Sequence, residues 1–157
     1  LRDLGMTMAP QNAFQTLLGL ETLSLRMKKH VSNARKIANW LEQHPKIDKV
    51  TYAGLKSSKY YYLAKSVLPK GTGALFTISL KEGYEACIKM INKLNLFSHV
   101  SNLGDTRSLI IHPASTVHRQ LTEQQQINAG LAPNVIRLSI GIEDPKDLID
   151  DLKQALE

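Results

Sequence analysis

The stretch SNLGDTRSLIIHPASTVH, Ser101 to His118, gathers residue types that can do chemistry: a carboxylate at Asp105, a hydroxyl at Ser108, and imidazoles at His112 and His118. A hydrolase triad or a metal site could be assembled from such groups, but their spacing argues against both. A nucleophilic serine at an elbow needs flanking glycines between a strand and a helix, whereas Ser108 lies inside an apolar strand-like run. Two histidines six residues apart, with no cysteine or carboxylate at ligand spacing, make a poor metal site, so hydrogen-bonded loop histidines are the expectation.

A second stretch, VIRLSIGIED, raises a different question. Alternation puts Ile136, Leu138 and Ile140 on one face of a strand and Arg137, Ser139 and Gly141 on the other. If the apolar face meets the core, Arg137 faces water or an anion, flanked by neighbours too small to fill space. Its planar fork could grip a carboxylate or phosphate bidentately. It could equally be an ordinary surface arginine or half of an ion pair. Spacing alone leaves both readings open.

Other chemistries find little support. GTG at Gly71 to Gly73 lacks the lysine and hydroxyl residue of a phosphate-binding loop. The strand GALFTISL offers only Phe76 for stacking on bases, which argues against RNA. The net charge of +6 comes from lysines scattered along the chain, so a solvated surface is expected and no nucleic-acid partner. Cys87, the single cysteine, sits on the apolar face of EACIKMI and reads as core in a reducing, cytoplasmic setting.

The elements that must position these residues follow from periodicity. Pro10 suits a first helical turn, and Met27, Val31, Ala34, Ala38 and Leu41 recur at steps of four and three, predicting one long helix that His44-Pro45 stops. Lys46 to Gly54 reads as a strand. The tyrosine-rich KSSKYYYLAKSVLPKGTG is a connection with about one helical turn, where Tyr60, Tyr61 and Tyr62 could pack on a neighbour. Gly73 to Leu80 is a strand, Tyr84 to Leu94 a helix, and Arg107 to Ile111 a short strand. Leu121 to Gly130 is a polar helix capped by Thr122 and ended by Gly130. VIRLSIGI is the last strand, and a helix opened by Asp144, Pro145 and Asp147 closes the chain.

Apart from the polar helix, the order is helix, strand, strand, helix, strand, strand, helix. That predicts an α+β domain, a small sheet with helices on one face. The chain of 157 residues, 43% hydrophobic, is read as one domain: a long connecting helix over 1–43 and an α+β body over 46–157. No apolar run reaches the roughly 20 residues of a membrane helix, so no membrane partner is expected. The opening LRDLGMTMAP has neither a charged nor an apolar leader region and reads as chain already in progress, a piece of something longer.

Taken together, LGLETLSLRMKKHVSNARKIANWLEQHP, LFSHVSNLGDTRSLIIHPASTVH and IRLSIGIEDPKDLIDDLKQAL closely resemble the C-terminal domain of the Cys/Met-metabolism pyridoxal 5′-phosphate enzymes. The likeness covers essentially the whole chain. Within that family, asparagine before LGD looks most like the O-acetylhomoserine sulfhydrylases, where γ-synthases, γ-lyases and β-lyases more often carry serine. The resemblance implies the small domain of an aspartate-aminotransferase-like, fold type I enzyme. It implies that Arg137 holds the substrate α-carboxylate, and that Ser101, Asn102 and Leu103 form the substrate-binding loop. Where the family usually has threonine, this chain has Val117, and any hydroxyl contact there is lost.

In the family the preceding domain supplies the cofactor lysine, the aspartate facing the pyridine nitrogen and the stacking tyrosine. No lysine here stands in the matching serine-x-threonine-lysine setting, so the resemblance implies no catalytic or cofactor-binding residue in this chain and no activity from it alone. It further implies a homotetramer and a small amino-acid substrate, with O-acetylhomoserine and sulfide giving homocysteine. A γ-synthase, γ-lyase or methionine γ-lyase on the same scaffold is the competing expectation. A standalone amino-acid-binding module without chemistry is another.

Overall fold

The computed structural model describes residues 3–157; Leu1 and Arg2, at the head of the opening stretch, lie outside the described residues. Its centre is a five-stranded sheet in the order β1-β2-β5-β4-β3, formed by β1 (Ile47–Thr51), β2 (Leu75–Leu80), β3 (Ser98–His99), β4 (Leu109–Ile111) and β5 (Val135–Ser139). All neighbours run antiparallel except β3 and β4, which are parallel.

The period-2 reading of the last strand holds. Ile136, Leu138 and Ile140 are fully buried, joined on that face by Phe76, Ile78 and Leu80 of β2 and Ile110 of β4. Three helices close over it: α2 (Leu23–Glu42) with Ala34, Ile37, Ala38 and Leu41, α4 (Gly83–Lys93) with Cys87, Met90 and Ile91, and α6 (Pro145–Leu156) with Leu148, Leu152 and Ala155. Cys87 is therefore core, and burial pushes its thiol up to about 12, far from a reactive thiolate.

Capping works as the side chains dictate. Thr122 and Gln125 form a reciprocal capping box on α5 (Glu123–Asn128), and Asp144 accepts from the Lys146 amide at the start of α6. Gly130 follows α5 at φ 73°, the left-handed conformation that glycine adopts without penalty.

The N-terminal helix differs from expectation. Instead of one helix there are two, α1 (Pro10–Glu21) and α2, broken at Thr22, whose φ −103° and ψ 4° leave the helical region. The cause lies in packing: α1 buries no residue, and Phe14, Leu17, Leu18 and Leu20 stand exposed, so among the described residues no core contact, only the Arg26 side chain bonded back to the Gly19 carbonyl, ties α1 to α2. The apolar stripe takes hold only from His30 onward, with Met27 40% exposed. The tyrosine-rich connection, expected to hold about one helical turn, forms α3 (Tyr61–Val67), seven residues without a side-chain cap and with only Ala64 buried, and β3, for which the sequence offered no pattern, is two residues long. Tyr60 and Tyr62 are exposed. No described helix is long and apolar enough to cross a membrane.

Candidate functional site

The face of the sheet away from the three packed helices carries the candidate site. Register places Thr77, Arg137 and Ile111 in one row across β2, β5 and β4, and Leu75, Ser139 and Leu109 in the next. Arg137 is half-buried, and its Nη2 donates to Ser101 Oγ at 3.4 Å, a long contact. Among the described residues no carboxylate lies within reach of its guanidinium. The ion-pair reading thus fails, and a planar, partly sheltered fork keeps most of its donors free.

Ser101, Asn102 and Leu103 are all exposed beside it. Asn102 Oδ1 accepts from the Leu103 amide at 2.8 Å, and Gly104 at φ 70° lets the loop reverse. Just beyond, Asp105 binds Arg107 three times, through the backbone amide at 3.0 Å, Nε at 3.2 Å and Nη2 at 3.0 Å. These bonds hold the Asp105 carboxyl down at about 2, and they leave Asp105 engaged with Arg107 rather than with Arg137.

What seats this loop against β5 is a polar cluster that periodicity could not reveal. Glu143 accepts from the Ser108 amide at 2.6 Å and from the Ser108 hydroxyl at 2.9 Å. Ser108 Oγ in turn accepts from the Gly141 amide at 2.9 Å, and Asn33 of α2 donates to the carbonyls of Gly141 and Glu143 at 3.1 and 2.8 Å. Ser108 is thus a fully buried structural hydroxyl and no nucleophile. Gly141 is required for closeness more than for lining a pocket: a Cβ there would meet the Thr106 carbonyl oxygen and the Glu143 carboxylate. On the other side of the loop, Asp151 accepts from three consecutive amides, Asn95 and Leu96 at 2.9 Å and Phe97 at 3.4 Å.

The histidines behave as loop histidines. His112 Nε2 donates to the Pro133 carbonyl at 2.7 Å while Nδ1 pairs with the Ser115 hydroxyl at 2.8 Å, so both ring nitrogens are spoken for. Its ring is buried and meets Tyr84 edge to face. Gln126 of α5 ties the same loop down through the carbonyls of Ala114 and His118. Among the described residues no cluster of three potential ligands exists for a metal ion. Val117 is 48% exposed, and the neighbouring Thr116 hydroxyl is turned inward to the His112 carbonyl at 2.7 Å, so it does not stand in for the missing hydroxyl.

The structure thus brings Arg137, with most of its donors free, together with the exposed loop of Ser101, Asn102 and Leu103 on the open face of a mixed sheet, in the fold of a fold type I enzyme fragment. The chain belongs to the Cys/Met metabolism family of pyridoxal 5′-phosphate-dependent enzymes, whose family model matches residues 1–157. It is 49% identical to an O-acetyl-L-homoserine sulfhydrylase of Leptospira meyeri, with 100% of this chain and 36% of that protein covered. It is 42% identical to an L-methionine gamma-lyase of Fusobacterium nucleatum, covering 100% of this chain and 40% of the relative. A crystal structure of a putative O-acetylhomoserine (thiol)-lyase from Campylobacter jejuni superposes with a TM-score of 0.89 at 48% identity, over 99% of this chain and 37% of that one. That neighbour carries an N′-pyridoxyl-lysine-5′-monophosphate. The chain therefore spans little more than a third of the length of these relatives.

Pyridoxal 5′-phosphate is the cofactor of the full-length family. The residues of this chain do not fit its attachment: none of the lysines is buried, whereas a lysine that forms a Schiff base is activated by desolvation or by a neighbouring cation.

Proposed function

We propose that this chain is the substrate-clamping domain of an enzyme that replaces the acetoxy group on Cγ of O-acetylhomoserine by sulfide or a thiol, releasing acetate and giving homocysteine or its thioether. The observation that carries the reading is the guanidinium of Arg137 on the open sheet face, which makes one long hydrogen bond to Ser101 Oγ and has no carboxylate partner among the described residues. Its fork matches an α-carboxylate, and a bidentate grip fixes the amino acid in both position and rotation. The cofactor, when bound in the remainder of the enzyme, supplies the electron sink. Arg137 orients the substrate against it, the 101–103 loop covers the carboxylate, and the Asp105–Arg107 pair keeps that loop's own carboxylate away from the incoming one.

Relatives named O-acetyl-L-homoserine sulfhydrylase and homocysteine synthase, 46–49% identical, support this choice of reaction. The second reading, a methionine γ-lyase, is supported by the 42% identity to the Fusobacterium enzyme. Product analysis of the complete enzyme separates them. Homocysteine formed from O-acetylhomoserine and sulfide supports the first; methanethiol, ammonia and 2-oxobutanoate from methionine alone would support the second.

The chain by itself should be inactive, since it lacks a buried lysine. Mixing it with O-acetylhomoserine, sulfide and free pyridoxal 5′-phosphate should give no homocysteine above the protein-free rate. The exposed apolar side chains of α1 call for a cover, and in the complete cytoplasmic enzyme they would be buried by the rest of the protein in a homotetramer.

A further inference from the structure

Ser108 uses every hydrogen-bonding group it has. Its amide donates to Glu143 Oε1 at 2.6 Å, its hydroxyl donates to Glu143 Oε2 at 2.9 Å and accepts from the Gly141 amide at 2.9 Å, and its carbonyl accepts from the Ser98 amide at 3.0 Å. The last of these bonds joins the two ends of one loop. The chain leaves β3 at His99, carries Ser101, Asn102 and Leu103 outward and returns to β4 through Ser108, so the Ser98–Ser108 bond closes the neck of that loop. Glu143 is the side chain that grips the neck.

Glu143 works from a fixed base: its own carbonyl accepts from Asn33 of α2 at 2.8 Å, and the next residue, Asp144, caps α6. Its carboxylate makes no ion pair among the described residues, which leaves both oxygens to Ser108. The returning leg of the loop is stiff, because the Ile142 amide donates to the Thr106 carbonyl at 2.9 Å and Arg107 donates three hydrogen bonds to Asp105. Position is therefore carried from Glu143 along 105–108 toward the tip. There Ser101 Oγ accepts the one hydrogen bond that the Arg137 guanidinium makes among the described residues. With no carboxylate to aim it, the guanidinium takes its direction from this loop.

We propose that Glu143 is a positioning residue for the carboxylate clamp: by holding Ser108 it fixes the neck of the 98–108 loop, and so the place where Ser101, Asn102 and Leu103 stand against the Arg137 fork. The inference rests on the clamp reading of Arg137, and it requires no contact between Glu143 and the substrate. A released loop samples other positions, and apparent affinity falls with the fraction of time spent in the competent one. A loop in place about one tenth of the time thus binds a carboxylate about tenfold more weakly.

The test uses the complete enzyme and two ligands that differ only in the carboxylate, L-2-aminobutyrate and propylamine, titrated by calorimetry. In Glu143→Ala the Kd for L-2-aminobutyrate should rise about tenfold, with that for propylamine held within about twofold. Glu143→Gln keeps an oxygen for the Ser108 amide but turns an N–H toward the Ser108 hydroxyl, so its Kd should rise by only about threefold. In an Arg137→Ala background, Glu143→Ala should add less than about twofold, because the group it positions is gone. Circular dichroism at the assay temperature checks that each variant is folded; if Glu143→Ala is not, the threefold rise in Glu143→Gln and its disappearance in the Arg137→Ala background carry the test.

An unchanged Kd for L-2-aminobutyrate in the folded Glu143 variants, an equal rise for propylamine, or the same fold-change with and without Arg137 would each overturn the inference. The clamp reading would survive all three as long as Arg137→Ala alone weakens L-2-aminobutyrate. If Arg137→Ala binds L-2-aminobutyrate as the parent does, the clamp reading fails and this inference fails with it.

Discussion

Replacing Gly141 by alanine should unseat the loop that carries the candidate site. The new methyl group would collide with the Thr106 carbonyl oxygen, the Arg107 backbone and the Glu143 carboxylate. The backbone cannot slide away cheaply, because the Gly141 amide is held by Ser108 Oγ at 2.9 Å, its carbonyl by Asn33 at 3.1 Å, and the next amide, Ile142, by the Thr106 carbonyl at 2.9 Å. Overpacking of this kind costs about 1–3 kcal/mol, and breaking one buried hydrogen bond adds about 1 kcal/mol, for a total of about 2–4 kcal/mol. For a chain of this size that lowers the melting temperature by about 5–15 °C. Thermal unfolding followed by circular dichroism reads it directly. Gly19→Ala is the control: nothing lies within 4 Å of its would-be Cβ inside α1, so helix propensity should leave that variant unchanged or about 0.4–1 kcal/mol more stable. A Gly141→Ala protein melting within about 1 °C of the parent would refute the claim that close approach at β5 seats the loop.

Asp151→Ala removes the acceptor shared by three backbone amides and should destabilise the chain by about 2–4 kcal/mol in urea unfolding, with Asp151→Asn milder because it keeps one acceptor oxygen. Cys87, buried and pushed up to about 12, should resist iodoacetamide at pH 8 in the native state and react only when urea unfolds the chain; fast native labelling would contradict its place in the core. Asp105, held at about 2 by Arg107 against an ordinary value near 3.8, contributes stability that is fully present above about pH 4 and lost as pH falls towards 2. Acid titration of the parent against Asp105→Asn should therefore show a difference at neutral pH that closes below about pH 2, and a gap that persisted there would count against the pairing.

The parts of this protein that were legible in the sequence are those whose signal is local. The strand around Arg137 announced itself because alternate residues face opposite sides, and Thr122 and Asp144 because capping acts over two or three residues. The family resemblance, carried by the Leu96 to His118 block, reached further than periodicity could and agrees with the family match and the superposed neighbour. The break at Thr22 escaped because a continuous apolar pattern says nothing about whether a partner is present to receive it. His30, Asn33, Glu143 and Asp151 escaped for a related reason. Their partners lie between 35 and 110 residues away, so only folding reveals that these ordinary-looking polar residues hold the site's loops. Ser139 and Gly141 were read alike as small pocket neighbours of Arg137. The structure separates them, with Ser139 lining a cavity and Gly141 closing a backbone contact.

The most direct test of the account is the steady-state kinetics of Arg137→Ala in the complete enzyme. Losing a bidentate, charge-assisted grip on the α-carboxylate typically costs about 2–4 kcal/mol, so kcat/KM for O-acetylhomoserine should fall by about 30- to 1,000-fold, with Arg137→Lys recovering only part of it. If Arg137→Ala turns over O-acetylhomoserine with the parent's kcat/KM, the guanidinium does not hold the substrate and the clamp assigned to this domain is wrong.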